Sequence, residues 1–203
     1  RRAAFVHVYS FDRFQFGIQD YQLNQFDGWV AHKSELALFD PVRFRIQQFG
    51  DYASVVKYSN LLAACRQPLQ ATAFHGEQDY GQLGINAGVS NNGGGIRMNS
   101  TTVIPRGLGI HGLSSYETGL PENAKSLTIG LGMTSNAECS SGLLFEIYAD
   151  DTRIFQRELQ KNDIEFIEIP LPTARKLRLL SHPGENNTCD HGAWLMPVVE
   201  LCD

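Results

Sequence analysis

The chain has 203 residues, 42% of them hydrophobic and 19% charged, which is enough to bury a sizeable core. Its formal net charge is −5, from 17 basic and 22 acidic residues, and no run of Lys or Arg supplies the basic surface that nucleic acid requires. No segment approaches the roughly 18 consecutive apolar residues of a membrane span. The sequence therefore predicts a globular chain with no nucleic-acid partner and no membrane span of its own.

The composition changes near residue 70. Eight of the twelve phenylalanines lie in the first fifty residues, whereas sixteen of the nineteen glycines follow residue 70. We therefore expect a Phe-rich N-terminal extension over residues 1–66 and a separate domain over residues 70–203. An extension this short is not expected to form a core of its own, so docking onto the domain or onto a protein partner is expected.

The extension shows both strand and helix patterns. Aromatic and β-branched residues alternate with polar ones over Ala3–Tyr9, Arg13–Ile18 and Val42–Gln47, which predicts strands. Gln19–Asp40 is predicted as loop. Tyr52–Arg66 places apolar side chains on one face at helical spacing, which predicts a short helix.

The domain reads as a series of short strands separated by Gly, Pro and Asn. The predicted strands are Thr102–Ile110, Ser114–Thr118, Ser126–Leu131, Leu143–Ala149, Arg153–Glu158, Ile164–Ile169, Lys176–Leu180 and Trp194–Leu201. Asn91–Gly95 is predicted as a tight or mobile turn, and a phosphate-binding role is not expected because no helix follows it. Many short strands without alternating helices predict an all-β sandwich of jelly-roll type.

The four cysteines bear on compartment and metal binding. Cys65, Cys139, Cys189 and Cys202 are spread without the close Cys and His spacing of a zinc site, so no metal and no cofactor is predicted. An even number indicates two disulfides and an oxidising compartment, with four free buried thiols as the alternative. Cys139 and Cys189 both lie in polar loops, and we predict a bond between them where those loops meet at one end of a sandwich.

Two glycine-containing segments form a pair of motifs. Pro105–Gly112 (PRGLGIHG) and Asp190–Trp194 (DHGAW) resemble the Gly-hydrophobic-Gly-hydrophobic-His and Asp-His-x-x-Trp segments of the NPCBM family of carbohydrate-binding modules. Phe145–Asp150 and Ala174–Leu179 occur between them in the family's order, and Tyr80–Leu83 resembles its opening. The resemblance covers about residues 70–203 and leaves the extension unexplained.

The resemblance implies a jelly-roll β-sandwich, attached to glycoside hydrolases or other surface proteins and in some cases binding galactose-like sugars. The family often has an acidic cluster after the central strand. Here the corresponding loop keeps only Glu138, which departs from the pattern and weakens the case for a metal or sugar contact there.

A sugar requires paired hydrogen-bonding groups and an aromatic surface for its C–H face. The predicted sugar-binding residues are His111, Glu138, Asn186, Asn187, Asp190, His191 and Trp194. Several have structural alternatives. Trp194 opens a strand, where a tryptophan is more often buried core than a sugar platform, whereas Asp190 and His191 are equally interpreted as fixing their loop through backbone hydrogen bonds. Gly107 and Gly109 are predicted to allow close packing of a neighbouring strand.

No catalytic activity is predicted. The chain lacks a Gly-x-Ser-x-Gly elbow, a His-Glu-x-x-His motif and a nucleotide-binding loop in a βαβ setting. A glycosidase needs two carboxylates across a cleft, which Glu138, Glu185 and Asp190 imitate by chance, and they are equally interpreted as sugar acceptors.

Two functions remain open at this point. The first is a non-catalytic module that recognises a terminal, galactose-like sugar of a glycan outside the cytoplasm. The second is a structural or accessory subunit of an extracytoplasmic or membrane-associated assembly, with residues 1–66 docking on partner subunits. Because the first residue is Arg1, any signal peptide or anchor is expected to lie upstream of it, and a mature secreted protein and the soluble end of a membrane-tethered one both remain open.

Overall fold

The computed structural model describes residues 5–10, 15–19, 36–40, 45–49, 65–99, 102–185 and 187–202. The chain divides into two compact units, Arg1–Pro68 and Leu69–Asp203. Among the residues described, no helix is long and apolar enough to cross a membrane.

The N-terminal unit contains short strands. They are β1 (Phe5–Ser10), β2 (Gln15–Gln19), β3 (Leu36–Asp40), β4 (Arg45–Phe49) and β5 (Arg66–Pro68). β1 pairs antiparallel with β2, and β3 pairs antiparallel with β4. Three strands predicted from alternation are therefore present as β1, β2 and β4.

The other two predictions for this unit concern a loop and a helix. The loop predicted over Gln19–Asp40 is wrong at its end, because Leu36–Asp40 forms β3. The predicted helix lies almost wholly outside the described residues, and Arg66 at its end begins β5.

The second unit contains all the remaining strands. They are β6 (His75–Gln78), β7 (Gly84–Ala87), β8 (Asn92–Arg97), β9 (Val103–Ile104), β10 (Gly107–His111), β11 (Ser114–Gly119), β12 (Ser126–Met133), β13 (Leu143–Ala149), β14 (Thr152–Leu159), β15 (Ile164–Pro170), β16 (Lys176–Pro183) and β17 (His191–Glu200). A single 3-10 turn, Ala71–Ala73, precedes β6.

These strands form two sheets. The first has the order β15-β12-β17-β10-β7-β8-β9, and the second has the order β14-β13-β16-β11-β6. Neighbours pair antiparallel except β7 and β8, which are parallel. The all-β sandwich predicted from sequence is confirmed. Seven of the eight predicted domain strands are each present as one strand, whereas the predicted Thr102–Ile110 is divided into β9 and β10.

The core lies between the two sheets. Leu108 and Ile110 of β10 belong to it, as do Phe145 and Ile147 of β13, in keeping with the two-residue period of a strand. Trp194 of β17 is fully buried in this core, with its ring edge-on to Phe145 at a centroid distance of 4.9 Å. Interlocking side chains from both sheets therefore hold the sandwich together.

The outer face of the first sheet is covered by the chain itself. A Cβ added to Gly109 would lie 2.4 Å from the backbone oxygen of Ala87, and one added to Gly107 would lie 2.2 Å from that of Trp194. Because any side chain would collide with backbone, the prediction that these glycines allow close packing is confirmed. Ile96 and Met98, which follow on from the covering loop, are buried as well.

The turn predicted over Asn91–Gly95 is wrong from Asn92 onward. Asn92–Arg97 forms β8, which pairs with β7 on one side and β9 on the other. The glycines do adopt positive φ, +74° at Gly93 and +82° at Gly94, as that prediction required. Neighbouring strands therefore hold this unusual backbone in a sheet.

Candidate functional site

The two sequence motifs meet at one edge of the first sheet. β10 ends at His111 and β17 begins at His191, and these two residues are partners in the antiparallel register. Their imidazole rings lie 5.1 Å apart between centroids and pack edge to face. The predicted convergence of the two loops is therefore confirmed.

Asp79, which follows β6, links this edge to the second sheet. Its Oδ1 lies 3.0 Å from His111 Nδ1, and its Oδ2 accepts hydrogen bonds from the side-chain amide of Asn187 and from the backbone N–H of Leu113, the latter at 3.3 Å. The Asp79 N–H donates in turn to the Leu113 carbonyl at 3.0 Å. The Asp79 carboxylate thus joins its own loop to the turn after β10 and to the loop that carries Asn187.

The protonation states of this cluster follow from its contacts. Burial raises the pKa of Asp79, but hydrogen bonds from His111, Asn187 and Leu113 outweigh burial, so the pKa is lowered overall. Burial and the nearby His111 lower the pKa of His191. At neutral pH the cluster therefore presents an ionised Asp79 and an uncharged His191.

An aromatic side chain stands beside these polar groups. Tyr80 is 65% exposed, and its ring is tilted against that of His111 at a centroid distance of 5.1 Å. Gln78 holds both residues, because its Nε2 donates to the Tyr80 carbonyl at 2.7 Å and its Oε1 accepts from the His111 N–H at 3.3 Å. We call Asp79, Tyr80, His111, Asn187 and His191 the rim site.

Asp190 lies behind the rim site and is fully buried. Its Oδ1 accepts a hydrogen bond from the Ser140 hydroxyl, and its backbone carbonyl accepts one from the Gly112 N–H at 2.8 Å. Burial raises the pKa of Asp190, although the Ser140 hydrogen bond opposes the rise. With no exposed surface, Asp190 makes the contacts expected from its loop-fixing alternative.

Trp194 does not belong to the rim site either. It is 0% exposed and packs on Phe145 in the core, so its indole face is inaccessible to a sugar. The prediction of Trp194 as an aromatic platform is therefore wrong, and its core alternative holds. Sequence reasoning missed Tyr80 and Asp79, although Tyr80–Leu83 had been matched to the opening of the family.

The last two predicted residues are not placed in the cluster. Glu138 is exposed, and its backbone carbonyl lies 3.4 Å from Lys161 Nζ. No contact among the described residues joins its carboxylate to the rim site. Asn186 lies outside the described residues.

The predicted disulfide between Cys139 and Cys189 is confirmed, with a Cα–Cα distance of 5.4 Å. Cys65 and Cys202 are disulfide-bonded as well. The Cys139–Cys189 bond attaches the loop before Asp190 to the loop that carries Ser140. It therefore restrains the segment from which Asn187 reaches Asp79.

Two hollows lie near the rim site. One, of 550 Å³, is lined by residues on both sides of Asp79 and Tyr80, including Gln78 and Gly81. The other, of 310 Å³, lies between the β7–β8 segment and the loop after β12. Within the described part of the chain, no group of three or more His, Cys, Asp or Glu side chains is arranged to hold a metal ion.

Residues 68–200 match the family model of the NPCBM/NEW2 domain. The chain belongs to this family, and its fold is that of a domain of carbohydrate-binding-module type. No sequence among the curated proteins matches the chain.

Solved structures of similar fold come from bacterial CBM51 modules. CBM51 from Clostridium perfringens GH95, in complex with methyl-galactose, is 16% identical with a TM-score of 0.54, and the match covers 62% of this chain and 92% of that one. CBM51-2 with the INT domains of Clostridium perfringens ZmpB, in complex with GlcNAc, is 16% identical with a TM-score of 0.57, covering 66% of this chain and 31% of that one.

The tandem CBM51 modules of Sp3GH98 from Streptococcus pneumoniae are 14% identical with a TM-score of 0.52, covering 67% of this chain and 45% of that one. The chain therefore spans less than half the length of the ZmpB and Sp3GH98 structures. At these identities the likeness shows the fold.

Proposed function

We propose that the domain recognises a terminal sugar of a glycan at the rim site, without catalysis and outside the cytoplasm. The observation that carries this proposal is the exposed Tyr80 ring, held against His111 beside the Asp79 carboxylate and its Asn187 partner. A sugar needs an apolar surface and paired polar groups within one ring diameter of each other.

The chemistry of the rim site suits hydroxyl groups. The ionised Asp79 accepts hydrogen bonds from sugar hydroxyls, and the exposed amide of Asn187 both donates and accepts. His111 is only 6% exposed, so its part is to hold Asp79 and support the Tyr80 ring. The sugar would then stack on the Tyr80 ring with its hydroxyls directed at Asp79 and Asn187.

The positions of the carboxylates are the reason for proposing a site without catalysis. Glycoside hydrolysis requires two carboxyl groups that both reach the scissile bond. Of the two carboxylates near the two histidines, Asp79 is accessible, whereas Asp190 is fully buried and hydrogen-bonded to Ser140. This arrangement supports sugar binding without cleavage of a glycosidic bond.

The compartment and the type of sugar have separate support. Disulfides persist in oxidising compartments, which supports a location outside the cytoplasm. The similar structures in complex with methyl-galactose and with GlcNAc make galactose and GlcNAc the first sugars to test. Docking of residues 1–66 on a protein partner stays a prediction, because most of those residues lie outside the described part of the chain.

Titration of the whole chain with galactose and with GlcNAc, followed by NMR, tests the rim site. We expect a dissociation constant on the order of 1 mM for at least one of them, as is usual for a single shallow site. Tyr80→Ala is expected to weaken binding at least about tenfold, the equivalent of roughly 1.4 kcal/mol of stacking. Tyr80→Phe keeps the ring and should bind nearly as the natural chain does.

Tyr148→Ala provides the matched control, because Tyr148 lies on the outer face of the second sheet. It should leave sugar binding unchanged. The proposal fails if Tyr80→Ala binds as tightly as the natural chain, or if a glycan array detects no sugar at all.

A further inference from the structure

The 310 Å³ hollow is built from different side chains from those of the rim site. We call it the Asn–Gly groove, and the residues that line it are Ala87, Gly88, Asn91, Asn92, Gly93, Gly94, Gly95, Arg97, Thr134, Ser135 and Asn136. We propose that this groove is a second binding site, which takes the carboxylate-bearing residue of an acidic glycan.

Charge gives the first argument. Arg97 is the one charged residue in the lining, and no acidic side chain accompanies it. Its neighbours Ile96 and Met98 are buried, so by strand alternation Arg97 points outward, and it is exposed. No ion pair joins it to any described residue. In a chain of net charge −5, the groove is therefore a local site for an anion.

Two other arginines of the domain form ion pairs. Arg153 lies 2.6 Å from the Glu146 carboxylate, and Arg157 lies 2.9 Å from that of Glu165. Their charges are balanced within the domain. The Arg97 guanidinium instead remains available, and its planar fork matches the two oxygens of a carboxylate.

The groove that contains Arg97 is also lined by polar groups without hydrogen-bond partners among the described residues. Asn92 and Asn136 are exposed, and no hydrogen bond joins their side chains to any described residue. A Cβ added to Gly93 or Gly94 would meet nothing within 4 Å, so the backbone there is open to solvent. Amide side chains and open backbone groups are suited to the hydroxyls of a sugar ring that an anionic group has anchored.

The walls of the groove are held in position before any ligand arrives. The Ser135 N–H donates to the Arg97 carbonyl at 2.9 Å, which joins the two walls. The Thr134 N–H donates to the His191 carbonyl at 3.0 Å, and the Ile85 N–H donates to the Asn91 carbonyl at 3.1 Å. A preorganised site loses less free energy on binding, because little of it must be ordered by the ligand.

The class of ligand follows from a contrast with the rim site. The rim site has an exposed aromatic ring and an ionised carboxylate, so it favours an uncharged sugar and repels an anion. The groove has no aromatic side chain and one arginine, so an uncharged sugar would find no platform there. The choice of a sugar ligand rests on the glycan-recognition function proposed for the domain, whereas the preference for an anion rests on Arg97.

Titration of the whole chain at pH 7 with D-glucuronate and with D-glucuronamide tests this assignment. The two sugars differ in the charge of one group. We expect glucuronate to bind with a dissociation constant on the order of 1 mM, at least about tenfold more tightly than glucuronamide, and to weaken as salt rises. Backbone NMR signals of Asn92 and Asn136 should shift with glucuronate.

Arg97→Gln should lower the affinity for glucuronate at least about tenfold. Arg175→Gln is the matched control, because Arg175 is also exposed and has no ion pair with any described residue, but lies in the turn before β16. It should bind glucuronate as the natural chain does. Thermal melting of both variants checks that they are folded.

Three results would overturn the proposal: equal affinity for glucuronate and glucuronamide, no loss of affinity in Arg97→Gln, or an equal loss in Arg175→Gln. Tyr80→Ala separates the two sites. It should leave glucuronate binding unchanged, and a loss of glucuronate binding in that variant would assign the acidic sugar to the rim site instead of the groove.

Discussion

The two outer faces of the sandwich are protected in different ways. On the first sheet, Gly109 lets the backbone of residues 87–89 cover its strand, and Ile96 and Met98 close the surface. On the second sheet, the cover is made by side chains. Glu146 accepts hydrogen bonds from Arg153 at 2.6 Å, and from Tyr148 and His182 at 3.2 Å, and is only 5% exposed as a result.

The difference shows how this fold keeps a binding edge rigid. A cover of backbone and apolar contacts does not depend on ionisation, whereas a cover of charged side chains does. Both the rim site and the Asn–Gly groove lie along the first sheet, where the backbone cover fixes their walls. The rim site also depends on the second sheet, because Asp79 and Tyr80 directly follow β6.

Gly109→Ala is expected to have the largest effect on stability. The new Cβ would lie 2.4 Å from the Ala87 carbonyl oxygen, and backbone on both sides must move to relieve the collision. Overpacking of this kind costs about 3 kcal/mol. Urea denaturation of the natural and variant chains measures the free energy of unfolding.

Gly119→Ala is its control on the second sheet. Nothing lies within 4 Å of a Cβ added to Gly119, which is at the exposed end of β11. This substitution should be neutral or stabilise the fold by up to about 1 kcal/mol, because it restricts the unfolded chain. Equal losses in the two variants would mean that the backbone cover is not specific to the first sheet.

Glu146→Gln tests the side-chain cover and should have a smaller effect, a loss of about 1 kcal/mol at pH 7. Burial raises the pKa of Glu146, but hydrogen bonds from Arg153, His182 and Tyr148 outweigh burial and lower it overall. Because the folded state holds the proton less tightly than the unfolded state, Glu146 stabilises the fold at pH values above its ordinary pKa of about 4.3.

That contribution should disappear as the pH falls through the lowered pKa of the folded state. The natural chain should therefore lose more stability between about pH 5 and pH 3 than Glu146→Gln does. Stability curves for both chains across this range provide the measurement. Parallel curves would show that the charge of Glu146 contributes nothing to the cover of the second sheet.

Most of the fold followed from sequence, and the exceptions have a common cause. Leu143–Ala149 was predicted with the bounds that β13 has, because its apolar and polar residues alternate clearly. β6 (HGEQ) and β8 (NGGGIR) carry few β-branched or aromatic residues and were missed. Their extended conformation depends on neighbouring strands far along the chain, which local propensity does not register.

The rim site was only partly predictable for the same reason. His111, Asn187 and His191 were predicted from their motifs, whereas Asp79 was missed because it meets His111 across 32 residues of chain. Trp194 was misplaced because a motif does not state which face of a strand is buried. The strand register decides which face is buried. Gly192 and Trp194 lie on the same face of β17, and that face packs against Phe145.

The smallest predicted effect concerns Arg178 and Tyr148 on the second sheet. The Arg178 guanidinium lies over the Tyr148 ring, 4.5 Å from its centroid, and its Nε is buried without a hydrogen-bond partner. A double-mutant cycle of Arg178→Gln and Tyr148→Leu should give a coupling energy of about 0.5 kcal/mol. This contact joins the guanidinium to the ring and does not include the Glu146 carboxylate, so the coupling should stay constant where the Glu146 contribution falls. A coupling that fell with pH would show instead that Arg178 acts through the Glu146 network, and the cover of the second sheet would then be entirely ionic.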